Sequence, residues 1–144
     1  MLKDTLKKFG YPDTLIKEYS HWIVLLRQSQ VTLGSLILIS KEEVTQFPQL
    51  SQRAFSELRQ VSGDIETALK SAFQYDKINY LMLMMVDREV HYHVIPRYTT
   101  PTVFGKATFT DQGWPGAPDL KSYVAPNTDL LVALRDHIKK AFPA

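Results

Sequence analysis

The chain has 144 residues, of which 44% are hydrophobic and 22% are charged, and these values are typical of one ordinary globular domain. It contains no cysteine, so disulfide bonds, thiolate nucleophiles and zinc–thiolate sites are excluded. The net charge of +2 favours neither nucleic acid nor a membrane surface as a partner, and the N-terminus lacks the apolar core of a signal peptide, so we expect a cytoplasmic protein.

The N-terminal quarter of the chain predicts short helical segments followed by a hairpin. Residues 2–9 place apolar side chains on one side of a helix, and Gly10 to Pro12 would end it. A second short turn is expected before Tyr19. Two apolar runs follow at residues 21–27 and 32–39, and the polar residues between them predict that the two strands form a hairpin.

The middle of the chain predicts one long helix and two antiparallel strands. Apolar residues recur every three or four positions from Leu50 to Ala72, as they do along one face of a helix. Residues 78–86 predict a strand that is buried on both faces. Asp87 and Arg88 then predict a turn, after which the chain returns as an antiparallel strand.

The last third of the chain predicts irregular structure and a final helix. Turn-forming residues are frequent after Tyr98, with one short strand expected at residues 107–110. Asn127 can cap a helix that carries apolar residues as far as Phe142. Together these elements predict an α+β fold: an antiparallel sheet of about five strands, with the long helix packed on it and a C-terminal helix.

The segment with the most specific chemistry is Glu89-Val90-His91-Tyr92-His93-Val94-Ile95-Pro96-Arg97. On a strand, alternate side chains share a face, so Glu89, His91 and His93 should project together. Two imidazoles held in this way suit metal ligation, or nucleophilic attack on phosphorus or carbonyl carbon. The plainer alternative is an ordinary half-exposed strand that carries two histidines.

This segment resembles the signature of the histidine triad (HIT) family of nucleotide hydrolases and transferases, which is His-φ-His-φ-His-φ-φ, with φ apolar, often followed by Pro-Arg. The run from His91 to Arg97 matches the second half of the signature, and Glu89 stands where the first histidine is usual. Upstream, Leu33 to Lys41 resembles the family's Gly-His-φ-φ-φ-φ-Pro-Lys strand, and Lys77-Ile78-Asn79 resembles its Lys-φ-Asn strand. The order and spacing of the three segments fit the family.

The resemblance implies one HIT-like domain over residues 1–144, made of an N-terminal helical segment, a core and a C-terminal extension (residues 1–18, 19–98 and 99–144). It also implies a nucleotide-phosphate hydrolase or nucleotidyl transferase that acts on dinucleoside polyphosphates or nucleoside phosphoramidates. His91 would attack phosphorus and form a covalent nucleotidyl-histidine, and His93 would hydrogen-bond the phosphate oxygens. The resemblance implies no cofactor, and members of the family are typically homodimers.

Six further residues are candidate substrate contacts by the same resemblance: Trp22, Ser35, Asn79, Glu89, Arg97 and Trp114. Trp22 would line an apolar base pocket, Asn79 would contact the ribose, and Ser35 stands at the place of a site histidine. Trp114 would stack on a base or cover the leaving group. Each has a structural alternative: Trp22 could be part of the core, Arg97 a strand-end charge, and Trp114 a residue that fixes an irregular loop.

Glu89 and the residues before it depart from the family pattern. Family members usually carry Asn-x-Gly, Gly-Gln or Ser-type residues there to hold the α-phosphate and leaving group, whereas this chain has Met84-Met85-Val86-Asp87-Arg88. A carboxylate beside a phosphate is repulsive unless it is paired, and Arg88 or Arg97 could pair with Glu89. Two alternatives to efficient turnover follow. One is a nucleotide-binding module with weak or no turnover, and the other is a metal site formed by Glu89, His91 and His93.

Overall fold

The computed structural model describes residues 1–143, and it has the predicted α+β fold. Its regular elements, in chain order, are α1 (Leu2–Lys8), β1 (Leu15–Glu18), β2 (Trp22–Leu26), β3 (Leu36–Ser40), a short 3₁₀ helix (Phe47–Gln49), α2 (Gln52–Phe73), β4 (Lys77–Leu81), β5 (His91–Arg97), β6 (Thr102–Phe104), β7 (Ala107–Phe109) and α3 (Thr128–Ala141). Within these residues, no helix is both long enough and apolar enough to cross a membrane.

The main sheet has five antiparallel strands in the order β1-β2-β3-β5-β4. The predicted hairpin is confirmed as β2 and β3, in which Ile23 lies opposite Ile39 and Leu25 lies opposite Ile37. β5 lies between β3 and β4, so the histidine-bearing strand is central, and β4 is an edge strand. The short strands β6 and β7 pair with each other outside this sheet.

One face of the sheet packs against α2 and α3. The predicted apolar stripe of α2 is buried against Val24, Leu26 and Leu38 of the sheet in a single cluster, which α3 joins through Leu134 and Ile138. Ser51 caps the N-terminus of α2, and its hydroxyl accepts a hydrogen bond from the Ala54 backbone N–H at 3.1 Å. Most of the protein's apolar burial is on this face, and it fixes the plane of the sheet.

The other face of the sheet is covered in part by α1. Leu6 of this helix packs against Ile23, Leu25, Ile37 and Ile39, which point away from α2 because strand side chains alternate between faces. The helix has only seven residues, and the cluster that it forms with the sheet draws on β2 and β3, with Leu15 of β1 packed against it. The remaining part of this face carries the two histidines of the motif.

Two of the expected elements differ from the structure. The segment expected as a second turn before Tyr19 is the strand β1, whose residues hydrogen-bond along the free edge of β2. The strand expected at residues 78–86 ends at Leu81, because Met84 adopts a left-handed backbone with φ of 51° and the chain leaves the sheet. Beyond it, Met85 and Val86 are more than four-fifths exposed (83% and 82%) rather than buried.

Candidate active site

The register of β5 places His91 and His93 side by side on the face covered by α1. His91 lies opposite Ile39 of β3, and His93 lies opposite Ile37. The centroids of the two imidazole rings are 5.2 Å apart, with the ring planes nearly perpendicular at 78°. The alternation of side chains along a strand therefore brings these two rings together, as the sequence predicted.

His91 is held in one orientation and one tautomer. Its side chain is buried, and Nδ1 lies 2.6 Å from the backbone carbonyl oxygen of Glu89. A carbonyl oxygen only accepts hydrogen bonds, so Nδ1 carries the proton and donates it, which leaves the lone pair on Nε2. The ring of Phe9 packs beside it, with centroids 6.0 Å apart. In the neutral form of the ring, this arrangement leaves Nε2 as the nucleophilic nitrogen.

His93 is neutral near pH 7. Burial, the positive charge of Arg27 and the neighbouring His91 together lower the pKa of His93 from 6.5 to about 4, and Asp87 opposes this shift. Its Nδ1 is buried, and none of the polar groups within residues 1–143 bonds to it. A buried ring nitrogen without a partner is unusual in a folded protein.

A cleft opens over the two histidines, and we call it the histidine cleft. Its main part has a volume of about 320 Å³ and is lined by Lys8, Phe9, Arg27, residues 83–87, His91 and His93. A second cavity of about 210 Å³ shares Lys8, Phe9, Arg27 and His93 with it and extends along Gln28 and Ser29. The cleft thus has two imidazoles, two cationic side chains and an apolar loop around one open space.

Glu89 does not join the histidines in this cleft. β5 begins only at His91, and the Glu89 side chain is buried, with its carboxylate accepting a hydrogen bond from the Thr5 hydroxyl of α1 at 2.6 Å. Neither Arg88 nor Arg97 pairs with it, so the expected ion pair at Glu89 is wrong. In the first position of the triad, this carboxylate fastens α1 to the start of the histidine strand.

The proposed metal ligands are not assembled as a metal site. Across residues 1–143, no three histidine, cysteine, aspartate or glutamate side chains lie close enough together to hold a metal ion. The reason is local: the carboxylate of Glu89 is engaged with Thr5 instead of pointing between the two imidazoles. The metal alternative therefore finds no support in the geometry.

Asn79, Arg97 and Trp114 lie together, but at the far end of β5, six residues or roughly 20 Å from His91 at about 3.3 Å per residue. They line a separate cleft of about 510 Å³ with residues 115–117. Arg97 forms a bidentate ion pair with Asp111 (2.7 Å and 3.0 Å) and donates to Asn79 Oδ1 at 2.7 Å and to the Gly116 carbonyl at 2.9 Å. Its Cζ lies 5.9 Å from the Trp114 ring centroid. The structure does not place these residues at the histidines.

Trp22 and Ser35 are also set apart from the histidine cleft. Trp22 is fully buried on the opposite face of the sheet, where its indole Nε1 donates to the Ala54 carbonyl of α2 at 2.8 Å. Ser35 is buried in the loop between β2 and β3, and its hydroxyl donates to the Thr32 carbonyl at 2.8 Å. Both side chains have structural partners, and neither lines the cleft as the resemblance implied.

Three residues of the cleft were not singled out by the sequence: Lys8, Phe9 and Arg27. Arg27 could have been found, because it is a charged residue directly after an apolar strand. It comes two residues after Leu25 and so should point to the same face of the sheet, and Leu25 is aligned across the strands with His93. Lys8 and Phe9 gave no comparable signal. Their place depends on how α1 packs across the sheet, and no local pattern encodes that contact.

Comparison with protein families gives a match to the model described as the HIT domain, which covers residues 9–100 of the chain. This range contains β1 to β5 and α2, and with them both histidines of the cleft. No curated protein matches the chain.

Comparison with solved structures gives extensive matches at low sequence identity. A histidine triad protein from Sinorhizobium meliloti 1021 is 19% identical over 99% of this chain and 96% of that chain, with a TM-score of 0.77. A histidine triad protein from Marinobacter aquaeolei VT8 is 19% identical over 99% and 95%, with a TM-score of 0.77. A hypothetical histidine triad nucleotide-binding protein from Sulfolobus tokodaii strain 7 is 16% identical over 98% and 91%, with a TM-score of 0.73. At these identities the likeness shows a shared fold.

Proposed function

Because the chain belongs to the HIT domain family, whose members are nucleotide-binding proteins and hydrolases, we propose that it is a nucleotide-phosphate hydrolase or nucleotidyl transferase. Its substrates would be dinucleoside polyphosphates or nucleoside phosphoramidates, and it would act through a covalent nucleotidyl-histidine on His91. The observation that carries this proposal is the hydrogen bond from His91 Nδ1 to the Glu89 carbonyl at 2.6 Å. In the neutral ring it leaves the lone pair on Nε2, and His91 lines the histidine cleft.

The proposed reaction has two displacements at phosphorus. In the first, the Nε2 lone pair of His91 forms a bond to the α-phosphorus while the bond from phosphorus to the leaving oxygen or nitrogen breaks, and the leaving group keeps the electron pair and takes a proton from water. In the second, a water oxygen, or another acceptor in a transferase, attacks phosphorus and releases its proton to solvent, and the P–N bond breaks with return of the electron pair to Nε2. Splitting one displacement into two lowers the barrier of each.

His93 would bind the phosphate oxygens as a neutral hydrogen-bond donor. Since the pKa of His93 is lowered to about 4, the ring carries no charge at neutral pH. It can therefore orient a phosphate but adds little to the neutralisation of its charge. This leaves the electrostatic role to a cation elsewhere in the cleft.

A single substitution tests the nucleophile. His91→Ala should reduce turnover of diadenosine polyphosphates and adenosine phosphoramidates to near the uncatalysed level, because it removes the nitrogen that would form the bond to phosphorus. His93→Ala should retain measurable activity, and His21→Ala, a histidine on the other side of the protein bonded to Glu57, serves as the matched control. Mass spectrometry after a quench that avoids acid should find the nucleotidyl adduct on wild-type His91.

Near-normal rates in His91→Ala would exclude the covalent-histidine mechanism. A wild-type protein that binds AMP but shows neither turnover nor adduct would instead be the nucleotide-binding module. That second candidate is favoured by one observation: residues 83–86 at the rim of the cleft offer only apolar side chains where the family usually carries groups for the leaving group. The same assay therefore separates both functions.

Homodimerisation belongs to this proposal by resemblance to the family. The outer edge of β4 has no partner strand within residues 1–143, and its residues from Ile78 to Leu81 are only half-buried. An open edge of this kind can pair with a second copy of the chain.

A further inference from the structure

The first helix, α1, holds the segment that leads into the histidine strand at two points. The hydroxyl of Thr5 donates to the carboxylate of Glu89 at 2.6 Å. The Nζ of Lys8 lies 2.9 Å and 3.1 Å from the two carboxylate oxygens of Asp87. Thr5 and Lys8 are three residues apart on the helix, so they lie on the same face of it. One face of α1 therefore binds two acidic residues that come just before the histidine strand.

The Thr5 contact is the more persistent of the two. The Lys8 side chain is half exposed, and ion pairs of this kind contribute little to stability. The bond between Thr5 and Glu89 is buried, and 2.6 Å is the length expected when a hydroxyl donates to a charged carboxylate. The Thr5 hydroxyl also lies 3.3 Å from the Met1 carbonyl, but it has a single proton, and the closer, charged acceptor binds it more strongly.

The backbone of Glu89 needs such a contact because it lies outside the sheet. β5 begins at His91, which is also the first residue of β5 in register with β3. The Val90 carbonyl accepts a hydrogen bond from the Ser40 N–H at 3.0 Å, which fixes the peptide group after Val90 but not the one before it. The buried side chain of Glu89 therefore gives its own carbonyl an anchor that the sheet does not supply.

The carbonyl of Glu89 also determines which nitrogen of His91 carries the proton. It accepts the hydrogen bond from His91 Nδ1 at 2.6 Å, so that the neutral ring keeps its lone pair on Nε2. If this carbonyl moved away, the ring could adopt the other tautomer, in which Nε2 carries the proton and cannot attack phosphorus. A continuous line of contacts thus runs from the Thr5 hydroxyl, through the side chain and backbone of Glu89, to the imidazole of His91.

We propose that Thr5 is a positioning residue for His91. The hydrogen bond from its hydroxyl holds Glu89 in the position from which the Glu89 carbonyl keeps the proton of His91 on Nδ1. This inference rests on the proposed function for the role of His91 as the nucleophile, whereas the effect on the tautomer does not depend on any substrate. It also gives the carboxylate of Glu89 a task in this chain, which is to couple α1 to the nucleophile.

Long-range ¹H–¹⁵N NMR spectra of the imidazole rings test the effect on the full-length protein without substrate. In the wild-type protein, His91 should show a single tautomer with the proton on Nδ1. Thr5→Val removes the hydroxyl with little change of shape and should give a mixture of the two tautomers. Thr32→Val is the matched control, because it removes another buried hydroxyl, which donates to the Pro96 carbonyl, and it should leave the His91 tautomer unchanged.

Steady-state kinetics with an adenosine phosphoramidate give a second readout. Thr5→Val should lower kcat about fivefold to tenfold with little change in KM, because the reactive tautomer becomes rarer while the side chains that line the cleft remain. Thr5→Ser keeps the donor and Glu89→Gln keeps an acceptor, so both should retain kcat within about twofold of the wild-type value. If Thr5→Val does not fold, Thr5→Ala replaces it, since alanine favours the helix.

An unchanged His91 tautomer in the folded Thr5→Val or Thr5→Ala protein would overturn the proposal, and so would the same mixture of tautomers in Thr32→Val. If the tautomer changes in Thr5→Val while the wild-type protein turns over no nucleotide, the positioning role stands and the proposed function falls. If His91→Ala abolishes turnover while Thr5→Val keeps the wild-type tautomer and kcat, the proposed function stands and the positioning role falls.

Discussion

Two arginines on the same face of the sheet differ in what their guanidinium groups contact. Arg97 makes four hydrogen bonds, two of them to the buried carboxylate of Asp111, and only 5% of its side chain is exposed. Arg27 makes one, to a backbone carbonyl, and leaves its buried Nε without a partner in the described chain. The difference shows that the guanidinium of Arg97 is saturated with partners that hold the fold together, whereas that of Arg27 is not.

We call Arg97 and its partners Asn79, Asp111 and Gly116 the Arg97 cluster, and Arg27 and its partners Ser29, Gln30 and Ser35 the Arg27 cluster. The two clusters also differ in the parts of the chain that they join. The Arg97 cluster ties the C-terminal extension to the sheet, because Asp111 and Gly116 both belong to the extension while Asn79 belongs to β4. The Arg27 cluster lies within a single loop, between β2 and β3, which borders the histidine cleft. A change at Arg97 should therefore affect stability, and a change at Arg27 should affect binding.

The largest effect is expected for Arg97→Met. This change leaves the carboxylate of Asp111, whose side chain is 1% exposed, buried without its partner, and it should lower the free energy of unfolding by about 3–5 kcal/mol. Urea denaturation followed by circular dichroism measures this quantity. The double variant Arg97→Met, Asp111→Asn removes the unpaired charge and should recover part of the loss.

Arg27→Met provides the other half of this test. It removes a partly buried charge that has no carboxylate partner, so the free energy of unfolding should change by less than about 1 kcal/mol. Equal losses of stability in the two methionine variants would contradict the assignment of one arginine to the fold and the other to the cleft.

The contrast between the two arginines also shows which features of the structure could be predicted from the sequence. The strands β2, β3 and β5 and the helix α2 follow from local periodicity, and the pairing of His91 with His93 on one face follows from the alternation of strand side chains. The two arginines look alike in sequence, since each is a cation at the end of an apolar strand. Their difference depends on Asp111, which comes from an irregular segment without a repeating pattern.

The role of Glu89 could not be predicted from the sequence, for the same reason. Its partner, Thr5, is 84 residues away and lies on a seven-residue helix whose packing against the sheet no periodicity encodes. The sequence did not predict β1, because its four residues form a strand only by pairing with the edge of β2. Long-range contacts of short elements decide the surroundings of the histidines, although the histidines themselves are evident from the motif.

A smaller effect is expected for Trp114→Ala, which sharpens the assignment of the Arg97 cluster. The half-buried indole packs near the Arg97 guanidinium and away from the histidine cleft, so its loss should lower the free energy of unfolding by about 2 kcal/mol without changing AMP affinity. Thermal denaturation and calorimetric titration measure the two quantities. Trp114→Phe keeps an aromatic ring and should recover much of the stability.

Loss of AMP affinity with unchanged stability in Trp114→Ala would contradict this assignment. It would return Trp114 to the role that the family resemblance implied, contact with a base or leaving group. Since Trp114 lies at the far end of β5 from His91 of its own chain, that contact would require the cleft of a second copy.

The smallest effect is expected from the titration of His93, and it tests the Arg27 side of the comparison. Because the pKa of His93 is about 4 in the folded protein against 6.5 ordinarily, the unfolded chain binds more protons between these pH values. The free energy of unfolding should therefore fall as the pH is lowered from about 6.5 to 4, and since part of the ring faces solvent we expect His93 to account for about 1 kcal/mol of this fall. Arg27, His91, Lys8 and Asp87 face the same cleft, so the difference between wild type and His93→Gln isolates the contribution of His93.

Arg27→Gln removes the second-largest cause of the shift and should raise the His93 pKa, measured by NMR titration, towards its ordinary value. An unchanged His93 pKa in that variant would mean that the guanidinium does not face the ring, and the two arginines would then differ in their hydrogen bonds alone.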